Sequence, residues 1–370
     1  MKILHLLNEI KFSGAEVMLK VAAPTFIEKR VDLHVLSTGE EIGDYAYILK
    51  NSGCTLHHIP FRKRINYFID LYRLLQKEKF DVIHIHSERA FFWHGLIARI
   101  VRGDTVLIRT VHSVFRFSGF LRLKRMLQRV LARKVLGVRF VSISPSVAEV
   151  ENKVFYNRTL LIWNWIDQDK FVPVQSAEVR IQLREKYGIR LEDVSLISVG
   201  SCIEEKNHKA IIAAVAEVEK EFKNIIYLHV GEGPLTKEER ELVSKYGIED
   251  RTVFLGQIEI VRDALVASDI FLMSSKYEGL PIAGLEAMSC GLPIIAYNVY
   301  GIKDIVEDGK NGLLIEPNTH ALAACIKELI RNPIQRKRMG IEAHLSFLKK
   351  FDKERSLKRL LKVYKGDLVT

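Results

Sequence analysis

Ser274-Ser275-Lys276-Tyr277-Glu278-Gly279-Leu280-Pro281-Ile282-Ala283-Gly284-Leu285-Glu286-Ala287-Met288-Ser289-Cys290-Gly291 follows the apolar run Ile270 to Met273, which has the length of a buried strand. Pro281 fits a first helical turn, where its missing N–H costs nothing, and Gly291 fits the left-handed stop at the far end. A helix from near 281 to near 290 is expected. Amides around Gly279 and Leu280 then point out of the helix start, an arrangement that receives anions such as a diphosphate. Glu286 stands among Ile282, Ala283, Leu285, Ala287 and Met288, where a carboxylate without partners costs roughly 2 kcal/mol or more. A ribose diol would supply two donors. Five helical residues at about 1.5 Å each set Glu286 roughly 7–8 Å deeper than the loop, whereas Glu278 lies ahead of the helix, nearer the reacting end of the same ligand. The competing account is one structural and one solvated glutamate.

Outward from this unit the same alternation of short β-branched runs and amphipathic segments fills the chain, as in a parallel sheet wrapped by helices. A first series of expected strands comprises Lys2 to Leu7, Asp32 to Leu36, Thr55 to Ile59, Val82 to His86, Val106 to Val111, Phe140 to Ile143 and Leu160 to Trp163. A second comprises Ser195 to Val199, Ile225 to Val230, Thr252 to Leu255, Ile270 to Met273, Pro293 to Ala296 and Leu313 to Ile315. Runs such as Leu196-Ile197-Ser198-Val199 suit a sheet covered on both faces. Between the series, Asp167 to Arg190 carries Pro173, Gln175 and Ser176 and then a charged helix from Ala177 to Tyr187. The chain closes on three expected helices, Thr319 to Arg331, Ile334 to Lys350 and Asp352 to Tyr364. The expected organisation is α/β: an N-terminal Rossmann-like domain over 1–168, a second over 169–350 facing it across a cleft, and a terminal segment, 351–370, packing back on the first. Such sheets bind ligands at the carboxyl ends of their strands.

A length of 370 residues exceeds one ordinary core and excludes a single small binding module. Hydrophobic residues at 48% and charged residues at 27% exclude a disordered or collagenous chain. No apolar stretch approaches the roughly 18 residues of a membrane span, and Asn8 and Glu9 cut the opening apolar run before it could serve as a signal-peptide core. A cytoplasmic protein is expected. Cys54, Cys202, Cys290 and Cys325 form no C-x-x-C pair and read as reduced, packed thiols.

The net charge is +11, and nine basic residues fall between Thr105 and Ala148, a window without an acidic one. Within it Arg122, Arg125, Arg129 and Arg133 recur at helical intervals beside Phe120, Leu123, Met126, Leu127, Val130 and Leu131. A cationic amphipathic helix of this kind can lie on an anionic leaflet, each basic side chain near the surface adding about 1 kcal/mol. The competing account is a domain helix with an apolar inner face and a solvated basic outer face. No nucleic-acid motif accompanies the charge, and no nucleic-acid partner is expected.

These residues resemble retaining glycosyltransferases of family 4, which have the GT-B fold of two doubly wound domains. The family's E-x7-E element is similar to Glu278 through Glu286. Val199-Gly200-Ser201 with Glu205-Lys206-Asn207-His208, Val230-Gly231-Glu232-Gly233-Pro234, Phe254-Leu255-Gly256 and Asn311-Gly312-Leu313-Leu314 resemble further elements of its second domain. Ser13-Gly14-Ala15-Glu16, Thr110-Val111-His112, Val141 through Ser146 and Asn164-Trp165-Ile166-Asp167 resemble those of the first, in the family's order. The resemblance implies that Lys206 and the helix amides meet the donor diphosphate and that Glu278 and His112 hold the sugar while Glu286 holds the ribose. It also implies transfer with retained configuration. The family commonly carries an Arg where Ser201 stands, so one charge-assisted phosphate contact is absent.

Gly14, just past the first strand, lets the backbone approach a ligand closely, or else makes an ordinary tight turn. Asp167-Gln168-Asp169 matches a metal-holding D-x-D pattern but lacks a supporting acidic cluster, and His84 and His86 lack zinc spacing. No metal or cofactor is expected. The expected activity is transfer of a sugar from a nucleoside diphosphate sugar, UDP favoured over GDP, to a hydroxyl of a polyprenyl-diphosphate-linked or growing surface glycan, on the inner face of the plasma membrane. A sugar-nucleotide epimerase of similar fold and a non-catalytic lipid-head-group-binding subunit are the alternatives.

Overall fold

The computed structural model describes residues 1–61 and 65–367. The first series of runs forms β1 (Lys2–Leu7), β2 (Asp32–Ser37), β3 (Thr55–His58), β4 (Val82–Ile85), β5 (Val106–Val111), β6 (Arg139–Ser142) and β7 (Leu160–Leu161). The second forms β8 (Val194–Val199), β9 (Ile225–Val230), β10 (Thr252–Gly256), β11 (Ile270–Met273), β12 (Ile294–Tyr297) and β13 (Gly312–Ile315). Helices fill the intervals except that between β12 and β13, which is crossed by turns, because a parallel neighbour can be reached only by a crossover. The sheet orders are β3-β2-β1-β4-β5-β6-β7 and β10-β9-β8-β11-β12-β13, and every strand pair is parallel.

Strand limits differ from the expected ones by a residue or two, and most at β7. Ile162 still donates to the Ser142 carbonyl at 3.0 Å, but the chain then leaves the sheet edge to begin the next unit. The first unit spans Met1–Asn164 and continues from Lys353, and the second is Trp165–Asp352. The passage between them falls at Asn164, four residues ahead of the expected 168, and 368–370 of the expected terminal segment lie outside the described residues. Buried Leu357, Leu360, Val363 and Tyr364 belong to the first unit through the helix Lys353–Lys365. The second unit's core joins Leu196, Ile212, Val215, Tyr227, Ile270 and Ile326 around its sheet.

The helix after β11 runs Ile282–Ser289. Pro281 is its cap rather than its first turn. Its φ of −74° is the one proline imposes, but a ψ of 108° leaves it extended, and its carbonyl accepts the first intrahelical bond from Leu285 N at 3.1 Å. Gly291, with φ +81°, is the left-handed stop. The four cysteines carry no disulfide; Cys54, Cys202 and Cys290 are buried and Cys325 partly so.

Candidate functional site

In each sheet the strand order reverses between two central strands, β1 and β4 in the first, β8 and β11 in the second. Sheets of this kind place their ligands at that point, on the loops leaving the carboxyl ends of those strands. In the second unit those loops carry Ser201 and Lys206 after β8, and Glu278 through Pro281 after β11.

Backbone and side-chain bonds clasp these two loops together. Lys276 N donates to the Glu205 carbonyl at 2.8 Å, Ser274 Oγ to the Asn207 carbonyl at 2.7 Å, and Asn207 Nδ2 returns to the Ser274 carbonyl at 3.2 Å. Asn207 adopts a left-handed conformation (φ 55°), turning the chain into the helix His208–Glu219. Across the clasp, Lys206 Nζ and Ser275 Oγ both donate to Glu278 Oε1, at 2.6 and 2.7 Å. The pair is only partly buried, so an arriving anion can compete for the ammonium. Gly301 explains the fit on the other side of Glu278. At φ +82° it lies so close that a Cβ would stand 2.4 Å from the Glu278 carbonyl oxygen, and Glu278 N donates to the Tyr300 carbonyl at 2.9 Å. Ser275 and the Tyr300-Gly301 turn were not singled out from sequence. A glycine that long-range contact alone explains carries no local signal.

Gly279, Leu280 and Pro281 are buried, and the helix they precede has no side-chain cap at its start, so no capping side chain accepts from its first amides. Glu286 is the fifth helical residue and keeps partial solvent access. Burial pushes its carboxyl up to about 8, and Lys170 pulls in the opposite direction. Ser201 is exposed at the mouth of the β8 loop. In the linker, Asp167 Oδ1 and its carbonyl both accept from Lys170 N at 3.2 Å, which closes a turn.

Gly14 opens the helix Gly14–Glu28, with Ser13 Oγ donating to buried Glu16. His112, one residue past β5, belongs to a chain of imidazoles across the sheet's carboxyl edge. Its Nε2 lies 2.8 Å from His86 Nδ1, and His86 Nε2 lies 2.9 Å from His5 Nδ1. Burial lowers all three, His112 to about 4 and His5 to about 3, so each ring is neutral at pH 7 and carries one N–H. His5 Nε2 is buried without a partner, and an orphan donor there costs more than an orphan lone pair. That asymmetry favours protons on the Nδ1 atoms of His5 and His86, which leaves His112 with its own N–H on Nδ1, turned away from the chain.

The basic helix, Gly119–Lys134, departs from the expected surface. Arg129 is 0% exposed, its guanidinium bonded to Glu151 at 2.9–3.0 Å and to Glu88 at 3.1 Å. It stacks over Phe155 at 4.3 Å. Arg125 is half-buried beside Glu88, and Arg109 is wholly buried against Glu88 and the Ser87 carbonyl. Arg129 therefore belongs to the interior and Arg125 only borders the surface, because Glu88 and Glu151, distant in sequence, neutralise them. Arg122 is exposed and Arg133 partly so. Beside them an apolar stripe also faces outward: Phe120 at 81% exposure, then Leu123, Leu127, Leu131 and Val135, one per helical turn.

Two parallel sheets of the β3-β2-β1-β4-β5 type, the second with a clasped cation–carboxylate pair at its switch point, match the architecture of the GT-B class. The sequence model described as Glycosyltransferase Family 4 matches residues 12–201, and that described as Glycosyl transferases group 1 matches residues 179–346. The chain belongs to glycosyltransferase family 4. It is 29% identical over 272 residues (70% of this chain, 69% of the relative) to an Escherichia coli UDP-Gal:alpha-D-GlcNAc-diphosphoundecaprenol alpha-1,3-galactosyltransferase. It is 25% identical to the capsular polysaccharide biosynthesis glycosyltransferase CapH of Staphylococcus aureus, across 89% of this chain and 90% of that one. The crystal structure of Anabaena HepE in complex with UDP shares the fold, with a TM-score of 0.86 at 20% identity over 99% of this chain and 100% of that one.

Proposed function

We propose that this glycosyltransferase moves a hexosyl or N-acetylhexosaminyl group from a UDP-sugar to a hydroxyl of a lipid-linked or growing surface glycan, with retained configuration and without a metal at the reacting centre. The observation that carries the reading is the Lys206–Glu278 pair at the switch point of the second sheet, with Glu286 farther along the helix that begins beside it. The E. coli relative acts from UDP-Gal on a diphosphoundecaprenol acceptor, the S. aureus relative serves capsule synthesis and HepE is described in complex with UDP, which support the donor and acceptor classes.

In this reading the diphosphate draws Lys206 Nζ from Glu278 and receives the first amides of the helix Ile282–Ser289, which meet the negative charge developing on the leaving group. Glu278, released, accepts from sugar hydroxyls, and Glu286 accepts from the ribose diol. The acceptor oxygen bonds to the anomeric carbon on the face from which the UDP oxygen departs. The C–O pair leaves with the diphosphate, and the acceptor proton passes to its phosphate oxygen. The outward apolar stripe of Gly119–Lys134, flanked by exposed Arg122, Lys124 and Lys134, sits in the interface of an anionic bilayer where a polyprenyl-linked acceptor is held. No helix of the described residues is long and apolar enough to cross a membrane.

Incubation with labelled UDP-sugars tests the reaction. UDP release should rise with added acceptor, and the product anomer should match the donor's. Conversion to an epimeric UDP-sugar without UDP release would overturn transfer. Turnover should survive omission of Mg2+ and Mn2+. Lys206→Ala should lower kcat at least tenfold, about 1.4 kcal/mol of transition-state stabilisation. Leu123→Glu with Leu127→Glu should abolish co-sedimentation with phosphatidylglycerol vesicles while leaving UDP binding intact. Equal sedimentation of the two proteins would sink the membrane assignment.

A further inference from the structure

Behind the clasped loops, on the side of β8 and β9 away from β11, four groups with metal-ligating chemistry converge in the interior. Cys202 comes from the loop after β8, His208 opens the next helix, His229 lies on β9 and Glu239 is on the helix Thr236–Tyr246. They are 0%, 3%, 0% and 0% exposed. One ligand atom from each falls within 4.8 Å of all the others. Cys202 Sγ is 4.0 Å from His229 Nε2, His229 Nε2 is 3.0 Å from Glu239 Oε2, and His208 Nδ1 is 3.6 Å from Glu239 Oε1. Ligands around a tetrahedral zinc ion, at about 2.3 Å for sulfur and 2.0–2.2 Å for nitrogen and oxygen, stand roughly 3.3–3.6 Å apart. The observed spacings bracket that value.

His208 Nδ1 and Glu239 Oε1 are buried and have no hydrogen-bond partner. A carboxylate oxygen and an imidazole nitrogen buried 3.6 Å apart, beyond hydrogen-bond distance, are costly unless something shares them. A cation would satisfy both; His229, bound through Nε2, would then carry its ring proton on Nδ1, which is buried without a partner. Aromatic rings close the surroundings: His208 and His229 cross at 4.5 Å and 89°, and Phe254 lies 4.9 Å from His229. One thiol, two imidazoles and a carboxylate in a buried cage suit zinc better than oxygen-seeking magnesium or calcium. The loop is tight enough to transmit the constraint. A Cβ on Gly233 would stand 2.6 Å from the Cys202 carbonyl oxygen, which accepts from Leu235 N at 3.0 Å.

We propose that Cys202, His208, His229 and Glu239 form a closed structural zinc site that pins the β8 loop, and so Ser201 and Lys206, to β9 and the helix behind it. The consequence for donor binding rests on the function proposed above; the metal site does not. The ion takes no part in the transfer itself.

Elemental analysis of protein from zinc-replete cells should give about one zinc per chain. Chelator-stripped protein should melt about 5 °C lower and recover on adding zinc alone. Cobalt(II) added to stripped protein should give the strong visible bands of tetrahedral coordination and a thiolate-to-metal charge-transfer band. Cys202→Ser, checked for folding by circular dichroism, should lose that band. The wild-type spectrum decides the matter if the variant does not fold. Zinc well below about a tenth of an equivalent with no melting shift overturns the site, leaving a hydrogen-bonded His–Glu–Cys cluster. Cobalt bound without the thiolate band overturns the four-ligand assignment. UDP affinity should fall about tenfold on stripping. Zinc at full occupancy with UDP binding to neither form would sink the donor reading and leave the metal assignment standing.

Discussion

Glu286 holds a titratable carboxyl where its neighbours are apolar, and the direction of its shift fixes what should be measured. Folding raises its pKa from 4.5 to about 8, so between those values the folded chain holds a proton that the unfolded chain has released. By linkage this residue's contribution to stability declines as pH rises through that window and levels off above about 8. Glu286→Gln removes the decline. The variant and the wild type should melt together near pH 4.5 and diverge progressively, the variant higher, up to about pH 8. Ribose hydroxyls donating to the carboxylate favour its ionised form, so nucleotide binding at neutral pH should release a proton from the wild type and none from Glu286→Gln. Calorimetry in buffers of different ionisation enthalpy reads that directly, and a binding enthalpy independent of buffer would rule out a carboxyl that ionises against the ligand.

At the scale of the element, the helix Gly119–Lys134 separates what a sequence can reveal from what it cannot. Its existence and both of its stripes were legible, because helical spacing is a local property. Which stripe faces inward was not, since Glu88 and Glu151, which draw Arg129 into the interior, lie 41 and 22 residues away. Strands and the motif loops were readable for the opposite reason. Continuous apolar runs and a Gly-Leu-Pro helix start depend on few distant partners, so Glu278 and Glu286 are legible from local pattern and Lys206 from the family resemblance, whereas Ser275 and the Tyr300 turn are legible from neither. The buried pairing carries its own prediction. Arg129→Leu strands the Glu151 carboxylate away from water and should destabilise the first unit by about 3–5 kcal/mol, whereas Arg122→Ala on the exposed face should change it by less than about 0.5 kcal/mol. Urea denaturation of the two variants distinguishes them, and equal midpoints would mean that the Arg129 cage contributes nothing net.

At the scale of the whole molecule, the first unit concentrates buried histidines. His5, His84, His86, His94 and His112 all sit below the ordinary value of 6.5 because burial penalises the imidazolium. A lowered folded pKa means that the unfolded chain binds more protons, so stability is complete above about pH 6.5 and drains away as pH falls toward the folded values. Denaturant midpoints for the first unit should therefore drop steeply between about pH 6.5 and 4, faster than those of the second. The same unit also depends on the end of the chain. Tyr364 Oη lies 2.8 Å from His84 Nδ1, Arg139 Nη1 donates to the Val363 carbonyl at 2.8 Å, and Leu357, Leu360, Val363 and Tyr364 are buried beneath the helix Lys353–Lys365. Four such side chains at about 1.5–3 kcal/mol each reach an upper estimate of roughly 6–12 kcal/mol, comparable with the entire stability of a typical domain. A chain ending at Asp352 should thus lose the first unit while the second stays folded, since its own sheet and core are complete without that helix. Limited proteolysis should then yield a resistant fragment close to 165–352 that retains nucleotide. Tyr364→Phe in the full chain should cost about 1–3 kcal/mol by leaving His84 Nδ1 buried and unpaired. A truncated chain whose first unit resists protease as the full one does would show that the helix is an ornament and not part of that core.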